Sequence, residues 1–431
     1  MIRSLIIGMA LSVHPTWAAT SLGKLIRLAE ENAPSIRKVR FDLEQADLEY
    51  RSARAKFLPT LDLTSTHGLR DVFPDDGQGT LWDSSLKLSL SETLYDNGES
   101  ITGYRLAATR KRRLTLEYQL ERDNQLLRLA LLYYDWSAAH QDHQIAESKR
   151  DLLRRQFKFL EAQYKQGIKT KRDVLRIETE VRRLDLDLLK RDNDIANTTR
   201  RMAAIAGLEP ETLAASAILP EPAEFEGKSK APTEVAPLKV DEHRRAQILK
   251  EQEKEAELET RLVERKYWPE LGLTAEVYDS YADYLDTGKS MQDARTWGWS
   301  TLLTLNYTIL DWGIERRSLE IARVKEKAVR NTNFQTILDL KVSLNDVILR
   351  LKELAETLRL ARELYEIEQQ SYSILQAEYR NGRATYLDLI TNLNSSVDAR
   401  SKVASAYFEL AKQKLNYSFH RGTIYEELQN R

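Results

Sequence analysis

Tyr379-Arg380-Asn381-Gly382-Arg383-Ala384-Thr385-Tyr386-Leu387-Asp388 interrupts two long helical patterns. Its twin, Tyr164-Lys165-Gln166-Gly167-Ile168-Lys169-Thr170-Lys171-Arg172-Asp173, repeats the Tyr, Gly, Thr and Asp 215 residues earlier. A glycine at that place adopts positive φ and closes one helix. The Thr and Asp that follow supply side-chain oxygens to cap the next. Two matching hairpin tips, at Gly167 and Gly382, predict a duplicated architecture, and the chain is read outward from them.

The repeat extends well beyond the tips. Lys56-Phe57-Leu58-Pro59 is echoed by Lys266-Tyr267-Trp268-Pro269, 210 residues on, and Asp96-Asn97-Gly98 by Asp311-Trp312-Gly313, 215 residues on. The change of offset places five extra residues in the second of the segments between these marks. Each unit reads helix, strand, strand, long helix, tip, helix. Agreement of several punctuation marks on two offsets is a specific sign of repetition.

Within the first unit, Ser21 to Lys56 is helical in pattern, with Leu22, Leu25, Ile26 and Ala29 on one face. Pro59 stops it, because proline disfavours helix before itself and lacks an N–H. The period then changes to two. Leu61 and Leu63 alternate with Asp62 and Thr64, and Leu86, Leu88 and Leu90 with Lys87, Ser89 and Ser91, which predicts two strands. Asp96 is placed to cap the next helix, from about Glu99 to Gln166, with no proline and a length on the order of 100 Å. Leu131, Ala138, Ile145, Leu152 and Phe159 recur every seven residues, as do Val174, Val181, Leu188, Ile195 and Met202 after the tip. Spacing of that kind indicates supercoiled helix packing.

Gly207 to Val240, with five prolines, reads as a linker or small irregular region. The second unit then offers Leu271, Leu273, Ala275 and Val277 as a third strand. Trp297, Trp299, Leu303, Leu305, Tyr307 and Ile309 form one face of a fourth. Ile337, Leu344, Leu351, Leu358, Tyr365, Tyr372 and Tyr379 give the heptad stripe of a helix from about Ile314 to Arg380. Leu389, Val403, Leu410 and Tyr417 continue it past the second tip.

Composition narrows the function classes. The 431 residues carry 65 basic and 66 acidic side chains, a net charge of −1, which argues against a nucleic-acid partner. Mean hydropathy is −0.52, in keeping with long solvated helices. With no cysteine, disulfides, thiolate metal sites and a cysteine nucleophile are excluded. Residues 1–19 read as a secretory signal peptide: Arg3, an apolar run from Leu5 to Val13, and a small-residue cleavage site near Ala18. His140 and His143 share a helix face but lack a third metal ligand, and His14, His67, His243 and His420 are isolated. No phosphate loop, dinucleotide fingerprint or Ser-His-Asp set occurs, so neither enzyme chemistry nor a cofactor is expected. The Asp71/Asp75/Asp76 and Asp279/Asp283/Asp286 loops read as solvated.

Four strands with one apolar and one polar face cannot close a barrel alone, since small barrels need about eight. In a bilayer no strand edge can stay unpaired, so several chains would have to pool their strands. Leu-rich faces against Ser/Thr/Lys faces suit lipid outside and water inside, with Trp82, Tyr95, Trp268, Trp297, Trp299 and Tyr307 near strand ends as an aromatic girdle. A β-sandwich with one wet face is the alternative for the strands. For the whole chain it is a secreted or periplasmic coiled-coil scaffold or adaptor that forms no pore.

Taken together, the Phe57-Leu58-Pro59-Thr60-Leu61 and Tyr267-Trp268-Pro269-Glu270-Leu271 junctions, the two Asp-x-Gly turns and the two Tyr-x-x-Gly tips resemble the TolC-type outer-membrane efflux protein family over essentially the whole mature chain. That resemblance implies an α+β membrane protein acting as a homotrimer. A twelve-stranded outer-membrane barrel, from residues 60–95 and 269–311, would sit on a periplasmic α-helical barrel from 20–59, 97–206, 241–268 and 312–418. Residues 207–240 and 419–431 would form an irregular equatorial region. The implied function is a passive exit duct from periplasm through outer membrane, in contact with outer-membrane lipid. It would be opened at its tips by a periplasmic adaptor and an inner-membrane pump of a tripartite efflux or type I secretion system. By the same resemblance the aperture involves Asp388, Thr391, Tyr379, Asp173 and Arg172. Asp388 matches the first of two carboxylates in the family's acidic ring, whereas Thr391 replaces the second. Tyr379 is aligned to hydrogen-bond towards the first hairpin near Asp173, while Ala384 removes a basic partner. Thr391 and Ala384 together imply a looser gate. Pro59, Asp96, Gly98, Pro269, Asp311 and Gly313 mark the strand–helix junctions.

Overall fold

The computed structural model describes residues 21–72, 79–215, 220–223, 225, 236–284 and 295–429. The expected signal sequence, residues 73–78 and 285–294 with Asp75, Asp76 and Asp286, and much of 207–240 lie outside them.

In order, the elements are α1 Ser21–Asn32, α2 Pro34–Ala55, β1 Thr60–Val72, β2 Gly79–Tyr95, α3 Glu99–Lys165, α4 Lys171–Ala206, α5 Pro210–Ala215, α6 Arg244–Arg265, β3 Glu270–Tyr284, β4 Arg295–Asn306, α7 Ile314–Arg380, α8 Tyr386–Arg421 and α9 Ile424–Gln429. Both long helices have 67 residues and both post-tip helices 36, the duplication read from the sequence. Three expectations need correction. The helix expected over Ser21–Lys56 breaks at Ala33, because Pro34 brings no N–H and starts a new helix, a favoured place for proline. The Arg37 guanidinium donates to the Glu31 carbonyl (2.9 Å) beside that break. The fourth strand stops at Asn306, short of Tyr307 and Ile309: Asn306 pairs with Glu270, and the next partner, Pro269, cannot donate to a ladder. Residues 419–429 are not irregular, since α8 runs on to Arg421 and α9 spans Ile424–Gln429.

The chain forms two compact units. One gathers residues up to Arg40, Tyr118–Ala246 and the chain from Leu338. Its main core joins α1 residues Leu25 and Ile26 with Leu126, Leu129 and Tyr134 of α3, Met202 of α4, and Phe408 and Leu415 of α8. Smaller clusters continue along the helix pairs, around Leu351, Leu358, Val403 and Leu410, and around Leu153, Leu184 and Leu393. The buried stripe of α3 near the tip is Ala146, Leu153 and Leu160. Of the expected positions, Ile145 is buried and Leu152 packs against that last cluster, whereas Phe159 is 52% exposed and Leu160 takes the buried place.

Asp123 is the polar centre of this unit. It is only 1% exposed, and both carboxylate oxygens are taken: one by the Arg244 guanidinium, the other by Arg122 at 3.0 Å. Arg122 in turn stacks 3.8 Å from the Tyr425 ring centroid, and Arg244 reaches the Gly422 carbonyl at 3.5 Å. Nearby, His243 Nδ1 accepts the Arg245 N–H (3.1 Å), so its Nε2 carries the proton towards His420 Nδ1 (3.1 Å). Burial, with His420 and Arg245 nearby, pushes the His243 imidazole down to about 4. This places both histidines in a neutral hydrogen-bonded pair near the C-terminal end of α8, isolated though they are in sequence.

The other unit comprises Phe41–Glu117 and Gln247–Ile337. Its four strands form one antiparallel sheet in order β1-β2-β3-β4, which leaves β1 and β4 as edges. The register sorts the faces. Leu63, Leu88, Val277 and Trp299 stand in one row, and Leu61, Leu90, Ala275 and Thr301 in the next. On the opposite face Lys87 pairs with Glu276 (3.5 Å), which also accepts from Ser300 (3.1 Å). The helical part is held by charge as much as by apolar packing: Arg113 and Arg110 both meet Glu255, at 2.7 and 2.9 Å. Large apolar side chains there stay exposed, among them Phe334 at 61% and Val324 at 65%.

Strand gives way to helix through one repeated turn. Asp96 accepts from the N–H groups of Gly98 (2.9 Å) and Ser100 (2.6 Å), and Asp311 from those of Gly313 (2.8 Å) and Glu315 (2.6 Å). Both residues between Asp and helix are left-handed in each copy: Asn97 and Gly98, then Trp312 and Gly313. Asn tolerates that conformation; Trp adopts it at a cost of about 1–2 kcal/mol.

Candidate functional site: the paired hairpin tips

Each tip is built from the same hydrogen bonds. α3 closes on Gly167 at φ +74°, with Gly167 N–H to Tyr164 carbonyl (2.9 Å) and Ile168 N–H to Gln163 carbonyl (2.9 Å). α7 closes on Gly382 at φ +73°, with Gly382 N–H to Tyr379 carbonyl (3.1 Å) and Arg383 N–H to Glu378 carbonyl (2.9 Å). This double bond at a left-handed glycine satisfies the last helical carbonyls. Two further residues then lead to a capping box that opens on an extended threonine. Thr170 accepts from Asp173 N–H while Asp173 accepts from Thr170 N–H (3.2 Å) and hydroxyl (2.8 Å). Thr385 and Asp388 do the same at 3.1 and 2.5 Å. Helix capping, one of the two roles open to Asp173 and Asp388, is therefore what their geometry displays.

These bonds also set charge. The Thr385 hydroxyl and N–H hold the Asp388 carboxyl below the usual range, and Thr170 does so for Asp173. Asp388 is thus an exposed anion at neutral pH, and Thr391, one turn on, is exposed and neutral. On the first tip Arg172 is exposed, and Lys169 Nζ lies 5.8 Å over the Tyr379 ring.

Beneath the tips the two hairpins share an apolar plug. Leu160 and Ile177, both fully buried, and Tyr386, at 8% exposed, pack with Phe157, Val174, Tyr379 and Ile390. Tyr379 meets the first hairpin through this plug and through Lys169. Among the described residues no hydrogen bond joins it to Asp173, whose Oδ2 accepts from Thr170 instead. Burial, then the Asp173 charge, raise the Tyr379 hydroxyl. Tyr386 is the residue that sequence reasoning missed. Its ring centroid is 6.3 Å from that of Tyr379, and its hydroxyl is buried without a hydrogen-bond partner. The available signal was asymmetry between the twins, since Tyr386 stands where the first tip has Lys171. The remaining sequence-predicted positions, Pro59, Asp96, Gly98, Pro269, Asp311 and Gly313, lie in the other unit, at the strand–helix turns.

Nothing at the tips gathers metal ligands, and no group of three or more His, Asp or Glu side chains suited to a metal occurs among the described residues. Nor is any described helix long and apolar enough to cross a membrane.

The fold is shared with solved structures of low sequence identity. A membrane protein from Pseudomonas aeruginosa superposes with a TM-score of 0.80 at 17% identity, covering 94% of this chain and 93% of that one. The outer membrane protein VceC of Vibrio cholerae gives 0.77 at 16% identity, covering 93% and 96%. The CmeC outer membrane channel of Campylobacter jejuni gives 0.79 at 12%, covering 94% and 86%. Comparison with curated protein sequences gives no match. The family model described as outer membrane efflux protein matches residues 25–208 and 245–418, one stretch for each half of the duplication. The chain belongs to the outer membrane efflux protein family, that of the TolC-like channels.

Proposed function

We propose that the chain is a passive outer-membrane exit duct, active as a homotrimer. The observation that carries this reading is the four-stranded sheet with two free edges and an apolar face, attached to helices that leave large apolar side chains uncovered. A bilayer does not tolerate unpaired strand edges, and pooling strands from three copies removes them. Leu-rich rows would then meet lipid, and the Lys87–Glu276 face would line water. The tips would form the periplasmic aperture, with Asp388 from each copy as an anionic constriction and Thr391 leaving that ring less charged. Tyr379 and Tyr386, wedged against the first hairpin, would hold the closed arrangement. A periplasmic adaptor and an inner-membrane pump would open it, within a tripartite efflux or type I secretion system. Cargo movement would draw on the partners' energy, with no catalysis by this chain.

Planar bilayers test the aperture. The purified protein should form cation-preferring pores that divalent cations block. Asp388→Ala should raise single-channel conductance and weaken the block, whereas Thr391→Asp should lower conductance and strengthen it. Equal conductance in all three proteins would remove Asp388 from the constriction.

A further inference from the structure

We propose that the apolar face of the sheet carries, at its loop end, a binding ledge for a phosphorylated, anionic lipid headgroup, with Arg295 and the serine hydroxyls held by His67 as its contacts. This rests on the reading of that face as the lipid-facing side of a barrel.

The register defines the ledge. Beyond the Leu63–Leu88–Val277–Trp299 row the chemistry changes, and the second row on reads His67, Ser84, Tyr281 and Arg295. Leu271, at the helix end of the same face, and Tyr281 are ten positions apart on β3. That is roughly 33 Å along the strand, or about 23 Å of height at a tilt near 45°. An apolar band about 25 Å tall is what a barrel presents to lipid, so this row falls at headgroup level.

Both ends of the row are preorganised and open. Asp279 grips Arg295 through Nε (3.1 Å) and Nη2 (2.7 Å), leaving Nη1 with its donors clear of the pair, and the arginine side chain is 74% exposed. Both His67 ring nitrogens are taken, by Ser84 Oγ (2.8 Å) and Ser65 Oγ (3.0 Å), and the ring stacks on Trp82; at least one nitrogen donates to its serine, so that hydroxyl keeps its own proton to donate outward. An ion pair this exposed adds little to the stability of a fold. Charged side chains on a lipid-facing surface cost least at the interface, which accounts for where they stand but not for why they are kept. A guanidinium held by one edge matches phosphate oxygens with the other, and charge-assisted hydrogen bonds of that kind are the strong ones. Three strand spacings separate His67 from Arg295, roughly 14 Å. A disaccharide with a phosphate at each end spans such a distance; a single phosphate does not.

The test is lipid retention by the full-length protein in phosphatidylcholine vesicles doped with a bis-phosphorylated acylated glucosamine disaccharide. After extraction, bound lipid is counted by native mass spectrometry. Wild type should retain the glycolipid, and the His67→Ala/Arg295→Ala pair should retain about tenfold less, the loss of a charge-assisted bond worth about 1.4 kcal/mol. Lys87→Ala, on the opposite face, should behave as wild type, and excess inorganic phosphate should not displace the lipid. Equal retention by wild type and the double variant overturns the ledge while leaving the barrel standing, and displacement by phosphate alone overturns the lipid as its ligand. Failure of the wild type to insert into the vesicles overturns both readings together.

Discussion

Replacing Gly207 by alanine is expected to destabilise the unit containing the hairpin tips by about 2–5 kcal/mol, summing a strained left-handed residue and a steric overlap. Gly207 closes α4 at φ +69°, where its N–H caps the helix. A Cβ built there would lie 2.5 Å from the Asn32 carbonyl oxygen and 3.1 Å from Pro34 Cδ. Those atoms belong to the break between α1 and α2, and backbone cannot turn aside as a side chain can. Two natural controls exist. Gly167 and Gly382 have nearly the same φ with nothing within 4 Å of a Cβ, so alanine at either should cost only the conformational part, about 1 kcal/mol. Denaturant unfolding of the three variants separates the two contributions. Equal losses would mean that contact with the helix break contributes nothing.

Asp123→Ala should cost about 2–4 kcal/mol, because it takes the shared carboxylate from two partly buried cations. Arg122 and Arg244 lose the carboxylate that both share, and with it the tie between α3, the start of α6 and the C-terminal α9. The effect should be strongly coupled. Adding Arg244→Met removes one unpaired charge and should recover part of the loss, by more than the 0.5 kcal/mol that marks interacting sites. If the two substitutions simply add, Asp123 and Arg244 are not a functional pair. The same network bears on why residues 419–431 looked irregular in sequence. A short α9 has too few residues for a periodic signal. It is fixed by Ile424 and Leu428, which are fully buried, and by Tyr425 under Arg122.

Much of the fold was legible because its signals are local. Pro59, Pro269 and the Asp-x-Gly turns stop one period and start another, and the Gly-to-Asp spacing of the tips is reproduced bond for bond in both copies. What escaped was tertiary. Nothing local ranks Leu160 above Phe159 as the buried position, since the choice depends on where α4 and α8 lie. Of the tips, the capping role of Asp173 and Asp388 was readable, whereas the burial of Tyr386 was not, because an aromatic at the first helical position faces either way. His243 and His420, far apart in sequence, meet only through the packing of the C-terminal end of α8. Trp312 shows the converse: it stands where the first unit has Asn97, and the fold keeps both left-handed although an indole side chain suits that conformation poorly.

In the proposed trimer one chain supplies a third of a closed barrel, its edges β1 and β4 being paired only by further copies. Light scattering on protein extracted from outer membranes in mild detergent, with the detergent mass subtracted, measures the number of chains in a pore-forming particle directly. The expected protein mass is three times that of a single chain, falling to one chain only on heating. A pore-active particle with the mass of a single chain would contradict it.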